Sequence, residues 1–178
     1  METEDVADLV KALSPLVRPN RTLVVGIDGA SGSGKSSLAL DLSTRLAGKV
    51  FHIDDYVERK RGEYLKRIDY ESAGNDIGQF MSENIQLVVI EGVCLLNILE
   101  TLRVEPHKVI YVKRVARDGY WYDYRLSDPE FSLEESLHYV DRSENVPGIG
   151  NLDREITTYH HQYSPLEKAD FIFRRVQQ

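Results

Sequence analysis

The sequence predicts an α/β protein built around a parallel sheet. Short apolar runs rich in Val and Ile alternate along the chain with segments of helical periodicity, and such alternation is typical of strands joined by right-handed helical crossovers. One of these strands leads directly into a glycine-rich turn and then a helix. With 178 residues, the chain is long enough for a single domain with its own core, so we expect one domain over residues 1–178.

The elements follow from periodicity and from the residues that interrupt it. Gly48 ends the helix that begins at Lys35, and a second strand follows it. The run 87–90 is wholly apolar, as expected of a strand buried on both faces. The predicted strands cover residues 23–27, 49–53, 87–90, 109–112 and 169–173. The predicted helices cover residues 3–16, 35–46, 73–82 and 152–163, with a helical pattern over 120–141 that is broken at Pro129 and a loop over 145–150.

Composition narrows the functional classes. The net charge of −7 argues against nucleic acid or an anionic membrane as the main partner. Cys94 is the single cysteine, which excludes an intrachain disulfide and suggests a reducing compartment. The longest apolar run, 87–99, is interrupted by Glu91 and Asn97 and is too short to span a bilayer. We therefore expect a cytoplasmic protein, and the sequence leaves formation of a homo-oligomer open.

The turn after the strand 23–27 matches a phosphate-binding motif. Gly29, Gly34, Lys35 and Ser36 satisfy the P-loop pattern G-x-x-x-x-G-K-[ST]. The backbone amides of such a loop and the N-terminus of the following helix bind phosphate oxygens, Lys35 reaches the β- and γ-phosphates, and the Ser36 hydroxyl is a ligand for Mg²⁺. The predicted nucleotide-binding residues are Gly29, Ala30, Ser31, Gly32, Ser33, Gly34, Lys35, Ser36 and Ser37.

Two acidic residues follow predicted strands, at the edge of the sheet where ligands of open α/β sheets bind. Glu91 follows the apolar run 87–90, which is the position of a Walker B acid that meets Mg²⁺ or its bound water. Asp54 follows the second strand and is predicted to accept the proton of an attacking hydroxyl and to lie near the metal. Tyr56, close behind it, is a predicted substrate contact. The simpler interpretation is that each acid only occupies the turn after its strand, since Asp55 stands in the same turn as Asp54 and could fill that position equally well.

Basic and aromatic side chains follow the strand 109–112. Arg114 and Arg117 are spaced i, i+3, which would place both guanidinium groups on one helical face above the phosphates. A solvated basic face is the alternative. Four aromatic residues come next and would either stack on an acceptor base or pack a lid against the core, and packing is favoured because aromatic side chains most often bury area. These residues are Tyr120, Trp121, Tyr122 and Tyr124.

Five segments, GIDGASGSGKSS, HIDDY, VVIEG, KRVARD and YSPLEKADFIF, occur in the order typical of one family. In this respect the chain resembles the uridine kinase and phosphoribulokinase group of P-loop kinases from about residue 21 to residue 174, with weak similarity over 58–83. The resemblance implies a three-layer P-loop kinase fold, a five-stranded parallel sheet with the Walker-B-like strand beside the P-loop strand, and a helical lid over approximately 114–147. It also implies transfer of the ATP γ-phosphate to a sugar hydroxyl, with Mg²⁺.

Site residues are carried over from the same resemblance. Asp54 matches the family's catalytic base, Glu91 matches the acid that helps to hold Mg²⁺, and Arg114 and Arg117 match two arginines of the lid. Asp69 weakly matches an acid that binds the nucleoside ribose.

The chain also departs from this family in two places. Too few residues separate Asp69 from Glu91 for the hairpin that presents aromatic and histidine side chains to the base in uridine kinases. The segment 119–126, GYWYDYRL, replaces the second arginine cluster of the lid and keeps only Arg125. The acceptor is therefore left open.

The sequence thus predicts an ATP-dependent phosphotransferase with an alcohol group as acceptor, acting on a nucleoside or a similar small molecule. One alternative is a nucleoside monophosphate kinase, for which Arg59, Arg61 and Arg67 would supply charge to an acceptor phosphate. The other is a nucleotide-binding module without turnover, which the presence of both Asp54 and Glu91 disfavours.

Overall fold

The computed structural model describes residues 1–59, 63–83, 85–128, 130–142 and 151–177. The predicted loop over 145–150, the C-terminal end of the predicted lid segment and Arg61 lie outside the described residues.

Within the described residues, six strands form one sheet in which every pairing is parallel. They are β1 (Glu2–Thr3), β2 (Leu23–Asp28), β3 (Lys49–His52), β4 (Leu87–Glu91), β5 (Lys108–Val115) and β6 (Phe171–Val176). Their order across the sheet is β1-β6-β5-β2-β4-β3, so the predicted Walker-B-like strand, β4, lies beside the P-loop strand, β2.

The predicted α/β fold is confirmed, with a sixth strand added to the five expected. The additional strand is β1, which has two residues and pairs with Ile172 and Phe173 at the edge of the sheet. Two mostly polar residues carry no period-two pattern, so the sequence alone did not indicate this strand.

Helices cover both faces of the sheet. They are α1 (Val6–Leu13), α2 (Lys35–Arg45), α3 (Tyr70–Ser82), α4 (Leu95–Leu102), α5 (Tyr124–Ser127), α6 (Leu133–Arg142), α7 (Asn151–Tyr163) and α8 (Pro165–Lys168). On one face, α1 and α2 bury side chains such as Leu9 and Leu42 against Val25. On the other face, α3, α4 and α7 pack over Ile90. The sheet is therefore the middle of three layers, and its carboxyl edge stays accessible between the helices.

Strand β5 is longer than predicted and changes the place of one site residue. It extends to Val115, which is buried and pairs with Val176 of β6. Arg114 therefore lies on a strand rather than on a helix. The helical pattern expected over 120–141 is present as two helices, α5 and α6, on either side of Pro129.

None of the helices within the described ranges combines the length and the apolar character that crossing a membrane requires.

Candidate active site

The P-loop takes a backbone path that only glycine permits at its two ends. Gly29 has φ +146°, and a Cβ atom there would lie 2.6 Å from the carbonyl oxygen of Val112. Gly34, the N-cap of α2, has φ +96°. Both values fall in the left-handed region that side chains disfavour. The loop therefore folds closely over the end of β5 and enters α2 with its first amides directed away from the helix.

The predicted nucleotide-binding residues are brought together, but their side chains differ in exposure. Ser33 is wholly buried, and its amide donates to the Ala30 carbonyl. Its Oγ atom is buried without a hydrogen-bond partner among the described residues. The hydroxyl groups directed to solvent belong to Ser31, Ser36 and Ser37. Ser36, the predicted Mg²⁺ ligand, is thus accessible at the first turn of α2.

Lys35 is buried within the loop. Its Nζ atom donates to the carbonyl oxygen of Ala30 at 2.8 Å. Burial lowers the pKa of Lys35, whereas nearby carboxylates act to raise it. In order of their effect these carboxylates belong to Asp28, Glu91, Asp54 and Asp123. The ammonium group therefore interacts electrostatically with four carboxylates, which include both predicted acids.

Asp28 is one of these four acids, and sequence reasoning missed it. It ends β2 with no exposed surface, and it accepts hydrogen bonds from the Gly29 amide at 2.7 Å and from the Tyr159 hydroxyl. Burial raises its pKa to about 6, although these hydrogen bonds and Lys35 oppose that effect. Its position directly before the P-loop was the available signal, but the partner on α7 was not visible in the sequence.

Glu91 lies at the end of β4 and is almost wholly buried. Its Oε1 atom is 2.6 Å from Nδ1 of His52 at the end of β3. Since β3 and β4 are in register there, the adjacent strand supplies the partner of the carboxylate. His52 is a supporting residue that the sequence analysis did not single out, although it directly precedes the IDDY segment.

Asp54 is exposed in a single 3₁₀ turn that continues from β3. Its Oδ1 atom accepts a hydrogen bond from the Tyr64 hydroxyl at 2.7 Å. The backbone of Tyr64 is held in turn by Glu155 of α7, whose Oε1 atom accepts from the Tyr64 amide at 2.6 Å. The orientation of Asp54 thus depends on a connected set of hydrogen bonds between the 3₁₀ turn and α7.

Arg114 and Arg117 do not share a helical face, so that part of the prediction is wrong. Arg114 lies on β5, and its Nη2 atom donates to Oδ1 of Asp123 at 2.6 Å. A Cβ atom built on Gly32 would lie 3.6 Å from Nη1 of Arg114, so this guanidinium group reaches the P-loop. Arg117 is exposed in the turn that follows the strand. The two arginines differ because β5 continues through Val115.

Asp123 is a second buried acid that the sequence analysis missed. Burial raises its pKa, whereas Arg114 and Lys35 act to lower it. Its Oδ2 atom is buried without a hydrogen-bond partner among the described residues. Its partner Arg114 lies nine positions earlier, on β5, so no local sequence pattern marks this acid.

The two predicted substrate contacts are engaged elsewhere in the protein. The Tyr56 hydroxyl donates to Oδ2 of Asp76 at 2.6 Å, and its ring stacks on Phe51. Asp69 is the N-cap of α3, and its carboxylate accepts bonds from both the amide and the hydroxyl of Ser72. These bonds lower the pKa of Asp69. Each side chain is thus oriented toward α3, and direct contact with an acceptor stays a prediction.

The aromatic segment divides between packing and exposure. Trp121 is buried with Tyr111 and Val115, and the Lys113 ammonium lies 4.3 Å from the centre of its ring. Tyr124 packs against this group from the outside. Tyr120 and Tyr122 are exposed and meet edge to face. The favoured packing interpretation therefore holds for Trp121 and Tyr124.

A cavity of about 460 Å³ lies between α4 and α7, beside the Tyr64–Glu155 contact. Its lining combines two tyrosine rings with polar side chains and carboxylates. These residues are Glu63, Leu65, Asn97, Asn151, Arg154, Glu155, Thr158, Tyr159, Gln162 and Tyr163. Tyr159 connects the cavity to the P-loop, because the Tyr159 hydroxyl donates to Asp28. Tyr64, beside the cavity, connects it to Asp54 through the hydrogen bond from the Tyr64 hydroxyl.

The donors at this site fit Mg²⁺, although no cluster of three or more metal-ligating His, Cys, Asp or Glu side chains occurs within the described ranges. Mg²⁺ in phosphoryl-transfer sites is held by one or two protein ligands together with substrate phosphates and water. The Ser36 hydroxyl, Glu91 and Asp54 supply oxygen ligands of this kind, and Glu91 and Asp54 both act on Lys35. They are the residues that would hold the ion.

Two solved structures that superpose on this chain are described as kinases. A possible uridine kinase from Bacillus stearothermophilus superposes with a TM-score of 0.56 at 18% identity, covering 94% of this chain and 96% of that one. A protein described provisionally as a fructose transport system kinase, from Silicibacter sp. TM1040, superposes with a TM-score of 0.50 at 15% identity, covering 95% and 98%. No protein-family model and no curated protein sequence matches the chain. The resemblance stated from the sequence is therefore confirmed at the level of the fold.

Proposed function

We propose that the protein is an ATP-dependent kinase that transfers the γ-phosphate to a hydroxyl group of a small acceptor. The observation that carries this proposal is the position of Lys35, inside a P-loop and within the electrostatic reach of Asp54 and Glu91. Phosphoryl transfer requires positioning and charge stabilisation more than covalent help from the protein. These three residues are the kinds of group that such a reaction needs.

Each group has a distinct task in the proposed reaction. Lys35 and the loop amides bind the phosphates of ATP and oppose the negative charge that develops during transfer. Asp54 orients the acceptor hydroxyl and takes its proton as the new O–P bond forms and the bond between the γ-phosphorus and the bridging oxygen breaks, leaving ADP. Mg²⁺, when bound, would neutralise phosphate oxygens, and Ser36, Glu91 and Asp54 would hold it.

The acceptor is proposed to occupy the cavity between α4 and α7. Arg154 is its one basic lining residue within the described ranges, and its guanidinium is paired with Asp141. The lining carboxylate of Glu155 accepts bonds from the amides of Tyr64 and Leu65. An uncharged acceptor rich in hydroxyl groups suits such a lining better than a phosphorylated one, which would need free cations. This favours a nucleoside or a sugar over a nucleoside monophosphate.

The proposal is tested by an acceptor screen. ADP release in the presence of Mg²⁺ and ATP would be measured with nucleosides, nucleoside monophosphates, free sugars and sugar phosphates, with Lys35→Ala as the matched inactive control. We expect acceptor-dependent ADP release with an uncharged hydroxyl compound and none with the variant. Binding of ATP without release for any acceptor would instead support the non-catalytic nucleotide-binding module.

A further inference from the structure

A second strand arginine, Arg175, lies against the P-loop. It is on β6, and its register partner across the sheet is Arg114 of β5. A Cβ atom built on Gly34 would lie 2.5 Å from Cδ, 2.7 Å from Nε and 2.9 Å from Cζ of Arg175. The arginine therefore fills the space that a side chain at position 34 would take, directly beside the entry to α2.

Arg175 has no charged partner among the described residues, whereas the neighbouring arginines do. Arg114 is paired with Asp123, and Arg174 lies 3.2 Å from Glu4 and 3.5 Å from Glu2. No hydrogen bond or ion pair joins Arg175 to any residue in the described ranges. A guanidinium group packed beside the positive end of a helix is unfavourable unless an anion joins them.

The rest of the site needs such a charge. Four carboxylates act on Lys35, and Asp123 already takes the charge of Arg114. A nucleoside triphosphate carries several negative charges and would meet this acidic cluster with one buried ammonium group to oppose it. Arg175 supplies a further positive charge on the P-loop side of the cluster.

We propose that Arg175 binds the phosphate chain of the nucleotide from strand β6. The proposal rests on the proposed function and adds a phosphate ligand that lies outside the P-loop motif and outside the segment after β5. The guanidinium fork donates to phosphate oxygens that the amides at the start of α2 also bind. Contact at Gly34, where phosphates bind, favours this role over stacking on the base.

The test compares Arg175→Ala with Arg174→Ala. Both replace an arginine on the same strand, but successive residues of a strand point to opposite faces, so Arg174→Ala removes an equal charge away from the P-loop. Titration calorimetry would measure the affinity of each protein for a non-hydrolysable ATP analogue with Mg²⁺, for ADP and for adenosine. A melting curve for each variant would verify folding.

We expect Arg175→Ala to weaken binding of the ATP analogue by about 10- to 100-fold, the scale of a lost charge-assisted hydrogen bond. Adenosine affinity should stay within about twofold, because adenosine carries no phosphate to lose that contact. Arg175→Lys should retain part of the affinity, since it keeps the charge but loses the fork. Arg174→Ala should bind like the wild type.

Three results would overturn the proposal. The first is that Arg175→Ala binds the ATP analogue with wild-type affinity. The second is that Arg174→Ala loses as much affinity for the ATP analogue as Arg175→Ala does. The third is that Arg175→Ala loses as much affinity for adenosine as for the ATP analogue, which would indicate contact with the base. The proposed function fails separately, and this assignment with it, if the wild-type protein itself binds no nucleotide.

Discussion

Nδ1 of His52 lies 2.6 Å from Oε1 of Glu91, and the two residues are register partners on β3 and β4. His52 is partly exposed, whereas Glu91 is almost wholly buried. The histidine thus binds one carboxylate oxygen at the exposed end of the pair. The same carboxylate also acts on Lys35, because its negative charge raises the pKa of the ammonium group.

This arrangement predicts that Glu91 controls the requirement for Mg²⁺. Glu91→Gln keeps an acceptor for His52 but removes the charge, so we expect the Mg²⁺ concentration for half-maximal activity to rise about tenfold or more. His52→Phe should shift it in the same direction by less, because it removes only the orienting bond. Titrating Mg²⁺ at saturating ATP measures both effects. Glu83→Gln, which removes a surface acid paired with Lys49, is the control, and an unchanged requirement in Glu91→Gln would contradict the assignment.

Asp54 is predicted to act on the acceptor rather than on ATP. Asp54→Asn should reduce turnover by about 100-fold or more, the scale of a lost general base. Affinity for an ATP analogue should stay nearly unchanged at saturating Mg²⁺, because the asparagine carbonyl oxygen can still serve as a metal ligand. Tyr64→Phe removes a hydrogen bond to Asp54 and should cause a smaller loss. Asp55→Asn, in the same 3₁₀ turn, is the matched control. Wild-type turnover of Asp54→Asn with the acceptor found in the screen would show that another group is the base.

The ionisation of Asp28 is predicted to make stability depend on pH. Its folded pKa of about 6 is raised above 3.8, the ordinary pKa of an aspartate, so the folded state holds its proton more tightly than the unfolded state does. The stability from this group is complete below pH 3.8 and is lost as the pH rises through 6. At neutral pH the loss approaches about 3 kcal/mol.

Asp28→Asn cannot ionise, so its stability relative to the wild type should increase between pH 4 and pH 7. Urea unfolding of both proteins across this range measures the difference. A stability difference that is constant with pH would contradict a raised pKa at Asp28.

The features that the sequence predicted correctly are those encoded by short contiguous segments. The P-loop, its strand and α2 follow from a contiguous pattern, and the apolar run before Glu91 identifies a buried strand by itself. Residues whose importance comes from distant partners were missed. Asp28 is tied to Tyr159, which lies 131 positions later, and Arg175 meets Gly34 only because β6 lies beside β5.

The wrong placement of Arg114 has a comparable cause. The residues after Val112 are charged, which is typical of the end of a strand, but Val115 pairs with Val176 and keeps the chain extended. Pairing with a neighbouring strand overrode the local pattern. Because β5 continues through Val115, Arg114 and Arg117 do not share the helical face that was expected.

The two arginines are accordingly predicted to behave differently when replaced. Arg114→Ala should lower both the melting temperature and the activity, since it leaves Asp123 buried without its cation. Arg117→Ala should leave stability unchanged and lower kcat by about tenfold, with less effect on nucleotide affinity, if its contact forms mainly in the closed state. Arg45→Ala, which removes a surface pair with Asp41, is the control. Unchanged kcat in Arg117→Ala would remove this residue from the mechanism.

The final prediction concerns the lid expected over approximately 114–147. Its first part is bonded to β5, since the Tyr122 amide donates to the Arg114 carbonyl and Trp121 is buried. Within the described part of that segment, α6 packs on α5 and α7 and buries two of its residues, Ser136 and Val140, whereas every residue of β4 is buried.

A kinase must exclude water once ATP and acceptor are bound, or it hydrolyses ATP. We therefore expect the amides of α6 to exchange with solvent rapidly in the nucleotide-free protein and to gain protection with a non-hydrolysable ATP analogue. Hydrogen exchange followed by mass spectrometry measures this, with the buried strand β4 as the internal reference, because its protection should be high in both states. Equal and strong protection over residues 120–139 with and without the analogue would show a fixed subdomain, because a segment that closes over ATP must exchange faster when it is open.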